Sequence, residues 1–238
     1  MDTKSSPWFA VSLGLIGIII GYSVAQSQIG GPKAQIADPS PSHSPSPSIE
    51  AEPEPAVNIE AMPEIDFDKD HFKGNKNADV SLVVYNDLEC PYCRRHHATV
   101  KQLITDYGDG INVVMRHYPL GFHQSAQKAA EASECAAELG GEEAFWNMVD
   151  KIFEKGPDNT QLASYAKELG LEETKFTECL NSGKFAEKTK GDMAGGTAAG
   201  IRGTPGNIVL NRKTGESKLV SGAQPIENFK AVIDGMME

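Results

Sequence analysis

The hydrophobic pattern divides the chain into three parts. From Ser5 to Pro32 no residue is charged, and Trp8–Ala25 is a nearly unbroken apolar run. At about 1.5 Å per residue, a helix over that run is just long enough to cross a bilayer core of roughly 30 Å. Between Gln26 and Pro63 the apolar signal fails. Residues 39–48 read Pro-Ser-Pro-Ser-His-Ser-Pro-Ser-Pro-Ser and residues 50–55 read Glu-Ala-Glu-Pro-Glu-Pro. Proline blocks helix and ladder hydrogen bonds, and so little apolar surface cannot offset the entropy of ordering, so residues 26–63 are predicted to be a disordered, semi-stiff linker. The folded domain is expected over residues 64–238.

Inside that domain the period changes several times. Val80–Asn86 is short and rich in β-branched and aromatic residues, as in a buried strand. Cys93, His97, Val100, Ile104 and Tyr107 then fall at helical steps and are expected to share the buried face of a helix, with His96 turned to solvent. Gly108-Asp109-Gly110 is a turn, and Ile111–Tyr118 reads as a second strand closed by Pro119. Strand, helix and strand make a βαβ unit with parallel strands. Residues of about 125–199 form a helical block: 125–139, ending at Gly140-Gly141; 142–154; a helix capped by Thr160 and closed by Gly170; 171–181; and 184–199, interrupted at Gly195-Gly196. Asn207–Leu210 and Ser217–Val220 flank a polar loop as a hairpin, and a closing helix from Pro225 carries Ile226, Phe229, Val232 and Ile233 on one face. The class is α/β.

Composition narrows the functions. The 238 residues carry a formal net charge of −11, and 39% of them are apolar. With no basic patch, neither nucleic acid nor an anionic lipid surface is expected as a partner. The N-terminal run has two readings. Ser23-Val24-Ala25 offers the small residues of a signal-peptide cleavage site near Ala25. A retained transmembrane anchor over residues 8–25 is favoured, because the run is long for a signal sequence and the linker that follows suits a tether. Either way the remainder is expected outside the cytoplasm.

The chemistry concentrates at Cys90-Pro91-Tyr92-Cys93, where the strand pattern gives way to the helical one. Pro91 suits a first helical position, which puts Cys90 at the N-cap. Free backbone N–H groups and the positive end of the helix dipole then favour a thiolate there, while Cys93, one turn on, is shielded. The reading is a redox pair with Cys90 exposed at the helix tip and Cys93 as resolving thiol. Zinc held with His96 or His97 is the competing reading, but it lacks a second Cys-x-x-Cys unit. No metal is expected.

Four stretches together resemble a known family: Asp87-Leu88-Glu89-Cys90-Pro91-Tyr92-Cys93, Arg116-His117-Tyr118-Pro119-Leu120, Ala129-Ala130-Glu131-Ala132-Ser133-Glu134-Cys135-Ala136 and Gly200-Ile201-Arg202-Gly203-Thr204-Pro205. They resemble the thioredoxin fold, and with the helical insertion they look like its DsbA-like branch of exported thiol–disulfide oxidoreductases, over about residues 65–238. The resemblance implies that Thr204-Pro205 is the family's cis-proline turn opposite Cys90, with the Thr204 backbone pairing with substrate; an ordinary trans turn is the alternative. Gly206-Asn207 departs from the family, which commonly carries a hydroxyl-bearing or aromatic pair there. Some relatives carry a structural disulfide in the helical block. With an even cysteine count in an exported chain, that favours a Cys135–Cys179 bridge over two buried thiols.

The function implied is a dithiol oxidase of cysteine-containing exported proteins, using the Cys90–Cys93 disulfide without a further cofactor and regenerated by a membrane thiol oxidase. Glu89 beside the pair either modulates it or is simply solvated. The alternative is a reductase or isomerase recharged by a membrane reductant, since Tyr92 and Thr204 also occur in such relatives. A monomer is expected, because the dimerising N-terminal domain of isomerases is replaced here by linker. A metal-binding or inert module on the same fold is the third reading.

Overall fold

The computed structural model of the protein describes Asn58 and residues 61–238. The expected anchor over residues 8–25 and nearly all of the linker lie outside the described residues. Among those described, no helix is long and apolar enough to cross a membrane.

Five strands form one sheet: β1 (His71–Gly74), β2 (Val80–Asn86), β3 (Ile111–His117), β4 (Gly206–Asn211) and β5 (Ser217–Ser221), in the order β1-β3-β2-β4-β5. β2 and β3 are parallel, and the other pairings are antiparallel. The helices are α1 (Pro91–Tyr107), α2 (Ala126–Lys155), α3 (Leu162–Glu168), α4 (Glu173–Ser182), α5 (Ala186–Ala198) and α6 (Ile226–Met237). This is a thioredoxin-like α/β fold in which α1 crosses between the parallel strands and α2–α5 are inserted before the β4–β5 hairpin.

β2 is buried at every position, which explains its continuous apolar run. Alternate residues serve opposite faces. Val80, Leu82 and Val84 pack with Leu103 of α1 and with Phe229 and Ile233 of α6, whereas Val83 and Tyr85 pack with Tyr118, Ile201 and Ile208 on the other side. Met62, expected at the end of the linker, is buried in that second cluster. β1 gave no sequence signal, since it is only 4 residues long and pairs at the sheet edge with β3.

Three local expectations need correction. The α5 helix is not interrupted at Gly195-Gly196 but runs on to Ala198. Gly196 is there for close approach, because a Cβ at that position would meet the Tyr85 ring at 2.7 Å. The break expected at Gly140-Gly141 is a kink within α2, taken up by Gly141 at φ 74°. Thr160 does not cap α3; Gln161 occupies the N-cap, while the Thr160 amide and hydroxyl both donate to Asp158.

Candidate active site

The turn after β2 is built around Asp87, which is buried. Its carboxylate accepts the Glu89 amide at 2.7 Å, and its carbonyl accepts the Cys90 amide at 3.1 Å. Cys90 is thereby placed at the N-cap of α1 in extended conformation, with Pro91 in the first turn. Both Cys90 and Cys93 are free thiols.

Cys90 is not the exposed tip that the sequence suggested. It is 4% exposed and Cys93 is 0% exposed. The loop that ends in the cis Thr204–Pro205 bond lies over them, with Cys90 Sγ 3.6 Å from the Thr204 carbonyl oxygen across 114 positions of sequence. The Thr204 hydroxyl is buried and among the described residues has no partner within hydrogen-bond distance, and its influence favours the thiolate form of both cysteines.

The electrostatics separate the two thiols. A hydrogen bond from the Cys93 thiol, reinforced against burial by the Cys93 and Tyr92 amides at the helix start and by Thr204, lowers the Cys90 pKa to about 5. Cys93 moves the other way: burial and its donation to Cys90 hold it far above an ordinary thiol. At neutral pH the pair is one thiolate and one thiol sharing a proton.

The surroundings differ from expectation in instructive ways. The buried face of α1 comprises Cys93, His96, Val100 and Leu103, one position round from the predicted stripe. His96 is therefore the buried histidine. Its Nε2 donates to Asn207 Oδ1 at 2.7 Å, while Asn207 donates to Val220 and Gly222 carbonyls. Asn207, the departure from the family pattern, thus ties α1 to the end of β5. His97 is half-buried and bonds Asp150 of α2. The Nε2 atoms of the two rings are thus engaged with Asn207 and Asp150. Glu89 is not simply solvated, because its carboxylate accepts the Ser125 amide at 2.6 Å where α2 begins. Tyr92 is 59% exposed, with the Arg95 guanidinium 5.3 Å from its ring centre.

Cys135 of α2 is bonded to Cys179 of α4 inside the cluster of apolar residues that also contains Cys90 and Cys93.

Sequence reading missed the charge cluster below the sheet. Arg116 makes paired bonds of 2.9 and 2.8 Å to the Asp70 carboxylate. Glu134 accepts from His71 at 3.1 Å, His117 at 3.1 Å and Lys188 at 2.9 Å. His117, Glu134 and Asp192 have metal-ligand spacing, but Lys188 bridges the two carboxylates and supplies the cation itself. His71 donates from both ring nitrogens, to Glu134 and to Glu142, so the ring is a cation. Burial opposes that charge, yet the two carboxylates raise its pKa from 6.5 to about 9. Its stabilisation is therefore complete below pH 6.5 and fades as pH rises through about 9. Chemical unfolding across this window is expected to show stability falling with pH, and His71→Asn is expected to flatten the slope. An unchanged slope in the variant would refute the assignment.

A thiolate and a shielded thiol at a helix start, on this sheet and beneath a cis-proline loop, define a thiol–disulfide oxidoreductase of thioredoxin fold. Residues 66–235 match the family model described as Thioredoxin, and the chain belongs to that family, as a DsbA-like member. Among solved structures, DsbA2 of Pseudomonas aeruginosa is similar at 28% identity and TM-score 0.63, covering 70% of this chain and 94% of that one. BdbD of Bacillus subtilis in its oxidised form shares the fold at 23% identity and TM-score 0.59, covering 76% and 96%. Among curated proteins, the Na(+)/H(+) antiporter NhaA 1 of Salinispora arenicola is 37% identical over 158 residues, which is 65% of this chain and 24% of the antiporter. The chain thus spans about a quarter of the length of the curated relatives it matches.

Proposed function

We propose that the protein is an extracytoplasmic dithiol oxidase, anchored by residues 8–25, that inserts disulfides into cysteine-containing exported proteins. In its oxidised form a substrate thiolate attacks Cys90 Sγ. The Cys90–Cys93 bond breaks, and its electron pair leaves on Cys93, which takes a proton. A second substrate thiolate then attacks the substrate sulfur of the mixed disulfide, and Cys90 departs as a thiolate. The backbone of Thr204 pairs with the substrate segment beside Pro205 in strand fashion. A membrane thiol oxidase restores the disulfide, and the protein acts as a monomer.

The observation that carries this direction is the placement of Cys90 at the N-cap of α1 beside the Cys93 thiol, surroundings that lower its pKa to about 5. A stabilised thiolate favours the reduced form, so the disulfide form is oxidising. The test is the equilibrium potential of the Cys90–Cys93 couple in the full chain, read in glutathione buffers by alkylation and mass spectrometry. A value well above the roughly −270 mV of thioredoxin is expected. A thioredoxin-like value would overturn the oxidase reading in favour of a reductase.

A further inference from the structure

Gly206-Asn207, the pair at which the sequence leaves the family pattern, is the point where the cis-proline loop becomes β4. Gly206 lets the loop close on itself, since a Cβ there would lie 2.6 Å from the Ile201 side chain and 3.2 Å from the Gly203 carbonyl oxygen. Asn207 then fastens the loop on two sides. Its side-chain amide donates to the Val220 and Gly222 carbonyls at 2.8 and 3.1 Å, and the Gly222 amide returns a bond to the Pro205 carbonyl at 2.9 Å. Carbonyls only accept, so the amide nitrogen of Asn207 faces them and its Oδ1 faces His96. His96 Nε2 therefore carries a hydrogen and donates to Oδ1 at 2.7 Å. Through these bonds α1, which begins at the two sulfurs, and the loop that ends in Thr204–Pro205 share one buried junction. At the surface Arg95 adds a longer bond of 3.3 Å from α1 to the Ala223 carbonyl.

The junction carries a penalty. His96 and Asn207 are buried polar side chains, and burial holds the imidazole neutral. Nδ1 is then a bare acceptor, without a partner among the described residues. An apolar ring at position 96 would pack on Phe229, whose ring is 5.0 Å away, without that penalty. What the histidine alone supplies is the bond to Asn207, and a buried polar link is directional where apolar packing is not.

We propose that His96 and Asn207 are positioning residues for the exchange reaction: their bond fixes the cis-proline loop over Cys90 and so aligns the Thr204 backbone with the substrate segment, a reading that rests on the strand pairing proposed for Thr204. The Thr204 carbonyl oxygen, 3.6 Å from Cys90 Sγ, lies only a few bonds up the chain from Asn207, so a shift of the junction is passed directly to it. An extended substrate that pairs with Thr204 loses the alignment of its cysteine when the loop shifts, whereas a small dithiol that meets Cys90 without pairing does not.

The test is the rate at which the oxidised full chain oxidises two dithiols, a peptide with two cysteines and dithiothreitol, in the wild type, His96→Phe and His96→Gln. Phenylalanine keeps the packing on Phe229 but has no donor, and glutamine places an amide N–H where Nε2–H stood. In His96→Phe the peptide is expected to react about tenfold slower with the dithiothreitol rate unchanged, and His96→Gln is expected to restore the wild-type rate with both. A wild-type peptide rate in His96→Phe overturns the inference and leaves the oxidase reading intact. Equal slowing of both dithiols confines the pair to holding the fold and also overturns it, as does a glutamine variant as slow as His96→Phe. A wild type that oxidises neither dithiol sinks exchange at Cys90–Cys93 itself. Should His96→Phe fail to fold, Asn207→Ser, whose hydroxyl is too short to bridge His96 to the two carbonyls, is read in its place with the same outcomes.

Discussion

Replacing Cys90 with alanine is expected to abolish thiol–disulfide exchange, whereas Cys93→Ala is expected to stop the reaction halfway. The asymmetry follows from geometry. Cys90 sits at the N-cap, where the Cys93 thiol, helix amides and Thr204 stabilise its thiolate, so nothing else in the site can attack or be attacked in its place. Cys93 is fully buried and held protonated, so its role is confined to resolving a bond already formed at Cys90. The Cys93→Ala protein has no disulfide of its own to offer, so its Cys90 thiolate should attack a model disulfide-bonded peptide, release one peptide sulfur as a thiol and hold the other in a mixed disulfide, visible by mass spectrometry without reductant. Its reactivity should fall about tenfold for each pH unit below the Cys90 midpoint, because only the thiolate is nucleophilic. Retained exchange in Cys90→Ala would exclude this mechanism.

Removing the Cys135–Cys179 bridge is expected to cost about 4 kcal/mol, from the chain-entropy model applied to a closed loop with a sequence separation of 44. For a domain of this size that corresponds to a fall of roughly 8 to 16 °C in melting temperature. The bridge ties α2 to α4 in the same apolar cluster as the two active-site sulfurs, with Cys135 1% and Cys179 7% exposed. Urea unfolding of the Cys135→Ala/Cys179→Ala protein measures the loss, and a change below about 1 kcal/mol would mean that the bridge does not restrain the unfolded chain.

Much of this was legible along the chain because it depends on neighbours within a few residues. The limits of β2, the period of α1, the N-cap position of Cys90 before Pro91 and the hairpin of β4 and β5 all follow from side-chain periodicity and local backbone preference. Asp87 carried a local trace too, since an aspartate accepting the amide two residues on is a familiar turn device. The α1 face was read one position off because both His96 and His97 fit a helical stripe. Only packing against Phe229, whose ring lies 5.0 Å from that of His96, selected the first.

What the sequence determined by itself is the α/β class, the order of strands and helices from β2 onward, and a cysteine pair poised at a helix start. What only the tertiary structure decided is the company that pair keeps. His123 meets Asp87 across 36 positions, Asn207 meets His96 across 111 and Thr204 covers Cys90 across 114. These partners lie on different elements, and no local preference couples them. They are brought together when the sheet and helices bury their apolar faces, and that packing leaves each buried polar group to find its partner wherever the chain has returned.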